Sequence, residues 1–339
     1  MLQLDYIIDS FSKTKVRKMK PFIRNLLRMS VYQIKYMDAV PDSAVCNEAV
    51  KLAKRHKFAQ LSGFVNGVLR NIARNIDSVQ LDTLSIRYSM PQWIVDRFVA
   101  AYGEKKAEEI FKAFHNKSTI SIRTNLTRCT PDELRATLEA EGVTVTAVDE
   151  LNYAFVISGF DYLNGLQSFR DGLFYVQDIS SMLVAQTAAP KKGDYVIDVC
   201  AAPGGKSTHI AELLQGSGHV LARDLTDNKV DMIEENIERH GLNNMSAEVW
   251  DATVPDADSA GKADILICDL PCSGLGVLGR KKDIRYKMTP ESVDELAALQ
   301  RQILDTVHTY VKPNGVLVYS TCTIDEAENE DNVRSVSYT

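Results

Sequence analysis

The sequence predicts an α/β chain in three parts: an all-α segment over residues 1–78, a small α+β segment over 79–175, and a doubly wound parallel sheet over 176–339. Three observations predict it. Apolar residues recur at helical spacing throughout the first 75 positions. Helical stretches alternate with short period-two strands up to about residue 160. Beyond Asp194 a strand–turn–helix pattern repeats, the signature of a parallel sheet flanked by helices.

In the first segment, Ile23, Leu26, Leu27, Val31 and Ile34 share one face of a helix running from Pro21 to Met37, and Pro21 suits its first turn. Pro41-Asp42-Ser43 breaks that helix and starts another, with Val45, Ala49, Leu52 and Ala53 inward. A third begins near Leu61 and buries Phe64, Val65, Val68, Leu69 and Ile72. The middle segment predicts helices over Pro91–Tyr102, Lys105–His115 and Pro131–Glu141, and strands over Ser118–Asn125, Val143–Val148 and Tyr153–Ile157. The third predicts strands at YVIDVC, HVLARD, Ala247–Trp250, ADILICD and GVLVYS. Helices over Ser207–Leu214, Asn228–His240 and Glu291–Val311 alternate with them.

The 339 residues carry a net charge of −6, which alone disfavours a nucleic-acid partner. The distribution reverses that. Residues 1–75 hold 14 Lys and Arg against 5 Asp and Glu, a balance of +9, while the remaining 264 hold 25 against 40, or −15. A basic helical module with Lys15, Arg17, Lys18, Lys20, Arg24 and Arg28 clustered can neutralise phosphates, although a solvated charged face has the same composition. No apolar run is long enough to span a bilayer, and MLQLDYIIDS places acids where a secretory leader carries basic residues, so we expect a cytoplasmic protein with no membrane partner. The six cysteines, at 46, 129, 200, 268, 272 and 322, form no CxxC pair and no metal-ligand spacing. Reduced thiols and no metal are expected. Cys46, Cys129 and Cys268 are read as packing residues.

In a parallel sheet, ligands gather at the carboxyl ends of the strands, and four such ends here carry polar residues. The first reads Asp198-Val199-Cys200-Ala201-Ala202-Pro203-Gly204-Gly205-Lys206-Ser207, a glycine turn opening a helix that is neither GxGxxG nor a phosphate loop. Asp224, nineteen residues after Gly205, ends the next strand and is placed to accept from ribose hydroxyls; Asp251, after the following strand, is placed near an adenine edge. Singly, each is a common turn or cap. In that order they indicate an adenosine-containing cofactor without a pyrophosphate. The last two ends are Asp269-Leu270-Pro271-Cys272-Ser273-Gly274 and Ser320-Thr321-Cys322-Thr323. Two thiols on this edge beside a carboxyl suit covalent activation of a pyrimidine. A thiolate adds to carbon 6, carbon 5 becomes enamine-like, and a carboxyl held partly protonated by burial, with Asp269 the candidate, steadies charge at ring N3. The residues alone do not rank Cys272 against Cys322.

DVCAAPGGKS, DLPCSGLG and YSTCT together resemble the RNA (cytosine-5) methyltransferases of the Nop2/Sun type, over about Asp178–Asn332. NEAVKLAKR followed by FVNGVLRNI resembles the latter part of a NusB-type RNA-binding domain, an arrangement similar to the branch acting on bacterial 16S rRNA. The resemblance implies a Rossmann-like S-adenosylmethionine methyltransferase domain preceded by an all-α NusB-like domain and a small α+β RNA-binding subdomain. It implies an S-adenosyl-L-methionine site at Cys200, Ala201, Ala202, Pro203, Gly204, Gly205, Lys206, Asp224, Asp251 and Asp269. It also implies Cys322 as nucleophile, Cys272 assisting release, Asp269 touching cofactor and base, and Arg123-Thr124-Asn125 in an RNA-facing subdomain. The basic loop Arg280-Lys281-Lys282-Asp283 would face phosphate. The expected partner is small-subunit rRNA, unassembled or partly assembled and bound by a monomer, with the target cytosine unpaired or flipped out. Three departures stand out. The NusB-like part starts late, Lys282 stands where the family often has Pro, and the chain stops at Thr339 where the family continues past Glu328–Asp331, so an open sheet edge is expected. The alternatives are the same chemistry on tRNA, a non-catalytic RNA-binding protein, and a small-molecule or protein methyltransferase, which needs no thiol pair.

Overall fold

The computed structural model describes residues 1–116 and 119–336, in two compact units, 1–116 and 117–339. The expected strand from Ser118 therefore begins outside the described residues, and its described part runs from Ile120.

The first unit is all helical: α1 (Leu2–Phe11), α2 (Pro21–Tyr36), α3 (Asp42–Arg55), α4 (Ser62–Asn75), α5 (Leu84–Arg87), α6 (Gln92–Tyr102) and α7 (Glu104–Ala113). The apolar stripes read from sequence meet in one core of Ile7, Ile8, Ile23, Leu27, Val31, Ala49, Ala53, Val65, Leu69 and Ile72. Burial of those stripes, more than intrinsic propensity, holds such short helices together. Arg28 spends its charge inside this unit, its Nε and Nη2 each donating to Asp5 at 2.6 Å. Lys13, Lys15, Arg17, Lys18 and Lys20 are exposed.

The second unit opens with a four-stranded antiparallel sheet of β1 (Ile120–Thr124), β2 (Thr144–Val148), β3 (Leu151–Ser158) and β4 (Phe174–Val176), in the order β2-β3-β1-β4. Helix α8 (Pro131–Ala140) packs on it through Leu134 and Leu138, started by a Thr130/Glu133 capping box; the short α9 (Gln167–Arg170) leads into β4. Next comes α10 (Ile179–Ala188). A five-stranded parallel sheet follows: β5 (Tyr195–Asp198), β6 (His219–Asp224), β7 (Met245–Val249), β8 (Ala263–Asp269) and β9 (Val311–Ser320), ordered β7-β6-β5-β8-β9. The order reverses beside β5, which makes its carboxyl end the crevice where open sheets bind ligands. Helices α11 (Gly205–Leu213), α12 (Asp227–His240), α13 (Ile284–Lys287), α14 (Pro290–Val307) and α15 (Glu330–Val336) complete the unit. This is the Rossmann-like domain that the strand–helix alternation predicts, and β9 stands at its edge.

Three differences from the sequence reading are physical. Helix α14 stops at Val307, four residues before the expected Val311, because β9 is already pairing with β8 from Val311, ahead of Pro313. Helix α10 went unread because Ile179, Met182, Leu183, Val184, Ala185 and Ala188 leave no polar stripe to reveal a period. Finally, Arg123 and Asn125 do not face out towards RNA. Both side chains are completely buried. Arg123 donates from Nε to Gln177 Oε1 at 2.8 Å and pairs with Glu212 at 2.5 Å, while Asn125 Nδ2 donates to the Gly172 carbonyl at 2.9 Å. An unpaired guanidinium is too costly to bury, so this one is matched to a carboxylate on α11 and serves packing.

Candidate active site

The glycine turn after β5 is shaped by backbone demands. Gly204 sits at φ +100°, a left-handed conformation that side chains resist, and caps α11 so that Lys206 lies in its first turn. Lys206 Nζ donates to Asp269 Oδ2 at 2.6 Å, and Ser320 Oγ donates to Asp269 Oδ1 at 2.8 Å, so one carboxyl ties α11, β8 and β9 together. Asp269 is not isolated by burial as expected: its side chain is 30% exposed and both oxygens accept. Behind the turn, burial pushes Asp198 up to about 7, against the opposing effect of the Ser207 hydroxyl. That hydroxyl donates to Asp198 at 2.5 Å, locking the turn from behind.

Asp224, at the end of β6, is almost fully buried and accepts from the Ala202 N–H at 2.9 Å, its neighbour Leu225 N–H at 2.8 Å and Lys229 Nζ at 2.8 Å. Lys229, five residues on, went unread. Asp251 stands apart. It is exposed, and its Oδ1 accepts from the Thr253 N–H and hydroxyl at 2.9 and 2.7 Å, a turn cap outside the cavity lining.

A cavity of about 500 Å³ opens along these strand ends, within the range of small-molecule sites. Cys200, Ala202, Lys206, Asp224 and Asp269 line it, and Cys272 and Cys322 line its other part. Ala201, Pro203, Gly204 and Gly205 shape the turn but do not line the cavity. Asp178, Ser180 and Ser181 do, from the start of α10, and the missing period of that helix hid them. The basic loop divides: Lys281 lines the cavity, whereas Arg280 forms an ion pair with Asp178.

The two thiols meet. Cys272 Sγ and Cys322 Sγ are 3.1 Å apart, and the Cys322 N–H donates to Cys272 Sγ at 3.2 Å. Cys322 is the exposed one. Its thiol is held down at about 7, first by the hydrogen bond from Cys272, against burial and Asp269, with the Lys281 and Lys206 cations assisting. The same bond, with burial, pushes the Cys272 thiol far up. One proton between two sulfurs lowers one thiol and raises the other, and either sulfur can donate it. Cys46 and Cys268 are buried in cores, and Cys129 is half-buried and donates weakly to backbone carbonyls.

Comparison with known proteins agrees with this geometry. Residues 185–337 match the family model described as 16S rRNA methyltransferase RsmB/F, residues 1–74 the NusB family, and residues 90–160 the RsmF/B-like ferredoxin-like domain. The probable ribosomal RNA small subunit methyltransferase B of Bacillus subtilis is 38% identical over 98% of this chain and 76% of its own length. The chain belongs to the ribosomal RNA small subunit methyltransferase B family. The Synechocystis relative is 34% identical over 97% of this chain and 76% of its own. The crystal structure of PH0851 superposes with a TM-score of 0.83 at 26% identity, covering 99% of this chain and 77% of that one. The family is one of S-adenosylmethionine-dependent RNA methyltransferases, and the NusB-like, ferredoxin-like and Rossmann-like parts are all present. No helix is long and apolar enough to cross a membrane, among the described residues.

Proposed function

We propose that this protein methylates carbon 5 of a cytosine in 16S rRNA with S-adenosyl-L-methionine, through a covalent bond between Cys322 and carbon 6. The observation that carries the reading is the thiol pair, 3.1 Å apart on two adjacent strand ends, in the cavity that Asp224 and the glycine turn line or shape. A methyltransferase acting on an amine or hydroxyl has no use for two such sulfurs. The relatives' names carry the choice of small-subunit rRNA over tRNA.

The residues fit the cofactor. The cavity has the volume, and Asp224 presents a carboxylate at a strand end. The turn through Cys200, Ala202 and Lys206 brings backbone close without a phosphate grip. When bound, S-adenosyl-L-methionine supplies an electrophilic methyl group for carbon 5. Cys322, half thiolate near neutral pH, forms the sulfur–carbon bond at carbon 6, and the ring electrons move to carbon 5. Asp269 and Lys206 are adjacent acceptor and donor for the polar edge of the base. Cys272 then acts. While Cys322 is a thiolate, the hydrogen bond to it is the first cause that keeps Cys272 protonated, with burial the second; once Cys322 is a thioether the first cause is gone, Cys272 releases its own proton to water, and the resulting thiolate takes the carbon-5 proton as the Cys322 thiolate is expelled.

The test is incubation with radiolabelled cofactor and undermethylated small-subunit rRNA, with an undermethylated tRNA pool in parallel. We expect label in 5-methylcytosine of the rRNA, none with Cys322→Ala, and with Cys272→Ala a protein–RNA adduct that survives denaturing gels. Label persisting in Cys322→Ala overturns the nucleophile, and label confined to tRNA overturns the substrate.

A further inference from the structure

The Glu328–Asp331 segment is remote in sequence from Cys272, yet two of its residues grip both cysteine loops. Glu328 is completely buried, and its carboxylate accepts from the backbone N–H of Ser273, the residue after Cys272, at 2.8 Å, and from the Ser273 hydroxyl. Gln300 of α14, also completely buried, donates from Nε2 both to Glu328 Oε1 at 3.0 Å and to the carbonyl of Pro271, the residue before Cys272, at 2.7 Å. Cys272 is thus held on both flanks by one buried pair. The next residue, Asn329, does the same for Cys322: Thr321 Oγ1 donates to Asn329 Oδ1 at 2.6 Å, and Asn329 Nδ2 donates to the Thr323 carbonyl at 3.2 Å. The loops are joined directly by the hydroxyls of Ser273 and Thr323 at 3.0 Å. Buried polar groups of this density specify one arrangement, because every alternative leaves several unpaired.

We propose that Glu328 and Asn329 are positioning residues of the methyl-transfer reaction, Glu328 clamping the flanks of Cys272 together with Gln300, and Asn329 those of Cys322, so that the sulfurs stay within hydrogen-bond reach. Neither side chain lines the cavity; they act through Cys272 and Cys322. The proposal rests on the reading of that pair as nucleophile and release thiol. A rigid supporting shell is what such a pair requires, since a shift of an ångström breaks the hydrogen bond between the two sulfurs, 3.1 Å apart. The groups facing Cys322 are Cys272, Asp269, Lys281 and Lys206, and of these Cys272 is the one the clamp controls.

The experiment follows iodoacetamide alkylation of Cys322 against pH, peptide by peptide in a mass spectrometer, in the full chain without RNA. Glu328→Ala and Asn329→Ala are compared with Glu328→Gln and Cys272→Ala, and folding is checked by thermal melting. We expect both alanine variants to move the midpoint of Cys322 upward in the direction of Cys272→Ala, with about tenfold slower alkylation at neutral pH for each unit moved. Glu328→Gln, which keeps an acceptor for the Ser273 N–H, should restore most of the rate. In the rRNA assay the alanine variants should accumulate trapped adduct. A folded alanine variant with a lowered melting temperature and an unmoved midpoint makes the clamp merely structural and overturns the proposal. Should Glu328→Ala fail to fold, half-buried Asn329→Ala decides by the same criterion. Because alkylation needs no RNA, absence of methylation by the parent protein overturns the reaction assigned above and leaves the clamp to be judged by the midpoint.

Discussion

Cys322 Sγ sits 3.1 Å from Cys272 Sγ, and the two thiols are pushed in opposite directions, Cys322 down to about 7 and Cys272 far up. The hydrogen bond from Cys272 is the largest cause for Cys322, so its removal has a signed consequence. In Cys272→Ala the Cys322 midpoint should climb from about 7 towards or beyond the ordinary thiol value, because burial and Asp269, which oppose ionisation, are then met only by Lys281 and Lys206. Alkylation of Cys322 at neutral pH should fall by about an order of magnitude for each unit, and the difference should vanish in strong alkali where either form is thiolate. A midpoint unchanged by Cys272→Ala would mean the sulfurs do not share a proton in solution.

Gly276 approaches the Cys322 loop from the other side. Its N–H donates to the Cys322 carbonyl at 3.1 Å, and a Cβ added there would lie 2.8 Å from that same oxygen. Backbone cannot yield as a flexible side chain does, so Gly276→Ala should push the nucleophile's loop away. We expect methyl transfer to fall by about a hundredfold, as misplacement by an ångström costs, while cofactor affinity, measured by calorimetry, stays within about threefold of the parent because Asp224 and the glycine turn are untouched.

The buried ion pair of Arg123 makes a prediction opposite to the RNA-facing role that its sequence context implies. Its guanidinium also lies 4.3 Å over the Tyr175 ring, so Arg123→Met keeps bulk and removes charge. Glu212 would be left buried without its counter-ion, and stability read from urea unfolding should drop by about 3–5 kcal/mol. The double variant with Glu212→Leu should recover most of it. RNA affinity of the folded protein, measured by filter binding, should stay within about twofold; a selective loss of RNA binding without loss of stability would restore the surface role.

What the sequence disclosed follows from how local each signal is. The β5–α11 turn, Asp224, Asp269 and both thiols were legible because strand ends and glycine turns announce themselves within ten residues, and the parallel order then carries them to one edge. Asp251 was placed by the same rule and misses the cavity, because its own turn, through Thr253, consumes the carboxylate. The burial of Arg123 was not legible because sequence does not show that Glu212, 89 residues away, would meet it. The clamp was invisible for the same reason: Glu328 lies 55 residues from Ser273, and a Glu in an acidic stretch reads as solvated until the fold buries it. Helix α10 was lost for want of a polar face.

His209 carries a prediction about acid. It is buried on α11 beneath the small sheet, its ring edge-on to Tyr153 at 5.3 Å, and neither ring nitrogen has a hydrogen-bond partner among the described residues. Burial first, and the Arg123 charge second, hold its pKa down at about 2. A base whose folded value is depressed binds fewer protons in the native than in the unfolded chain, so the stability it permits is complete above the ordinary histidine value near 6.5 and is lost as pH falls from there towards about 2. Asp198 works in the other sense, since its raised carboxyl, at about 7, favours the native state below that pH. The parent-minus-variant difference isolates the histidine. His209→Leu, similar in volume and free of unpaired nitrogens, should stabilise the protein by about 1–3 kcal/mol at neutral pH. Its advantage should widen by about 1.4 kcal/mol for each pH unit below 6. Urea unfolding at pH 7.5, 6.0 and 5.0 measures both quantities, and an advantage that shrinks in acid would show that His209 takes up its proton in the folded state.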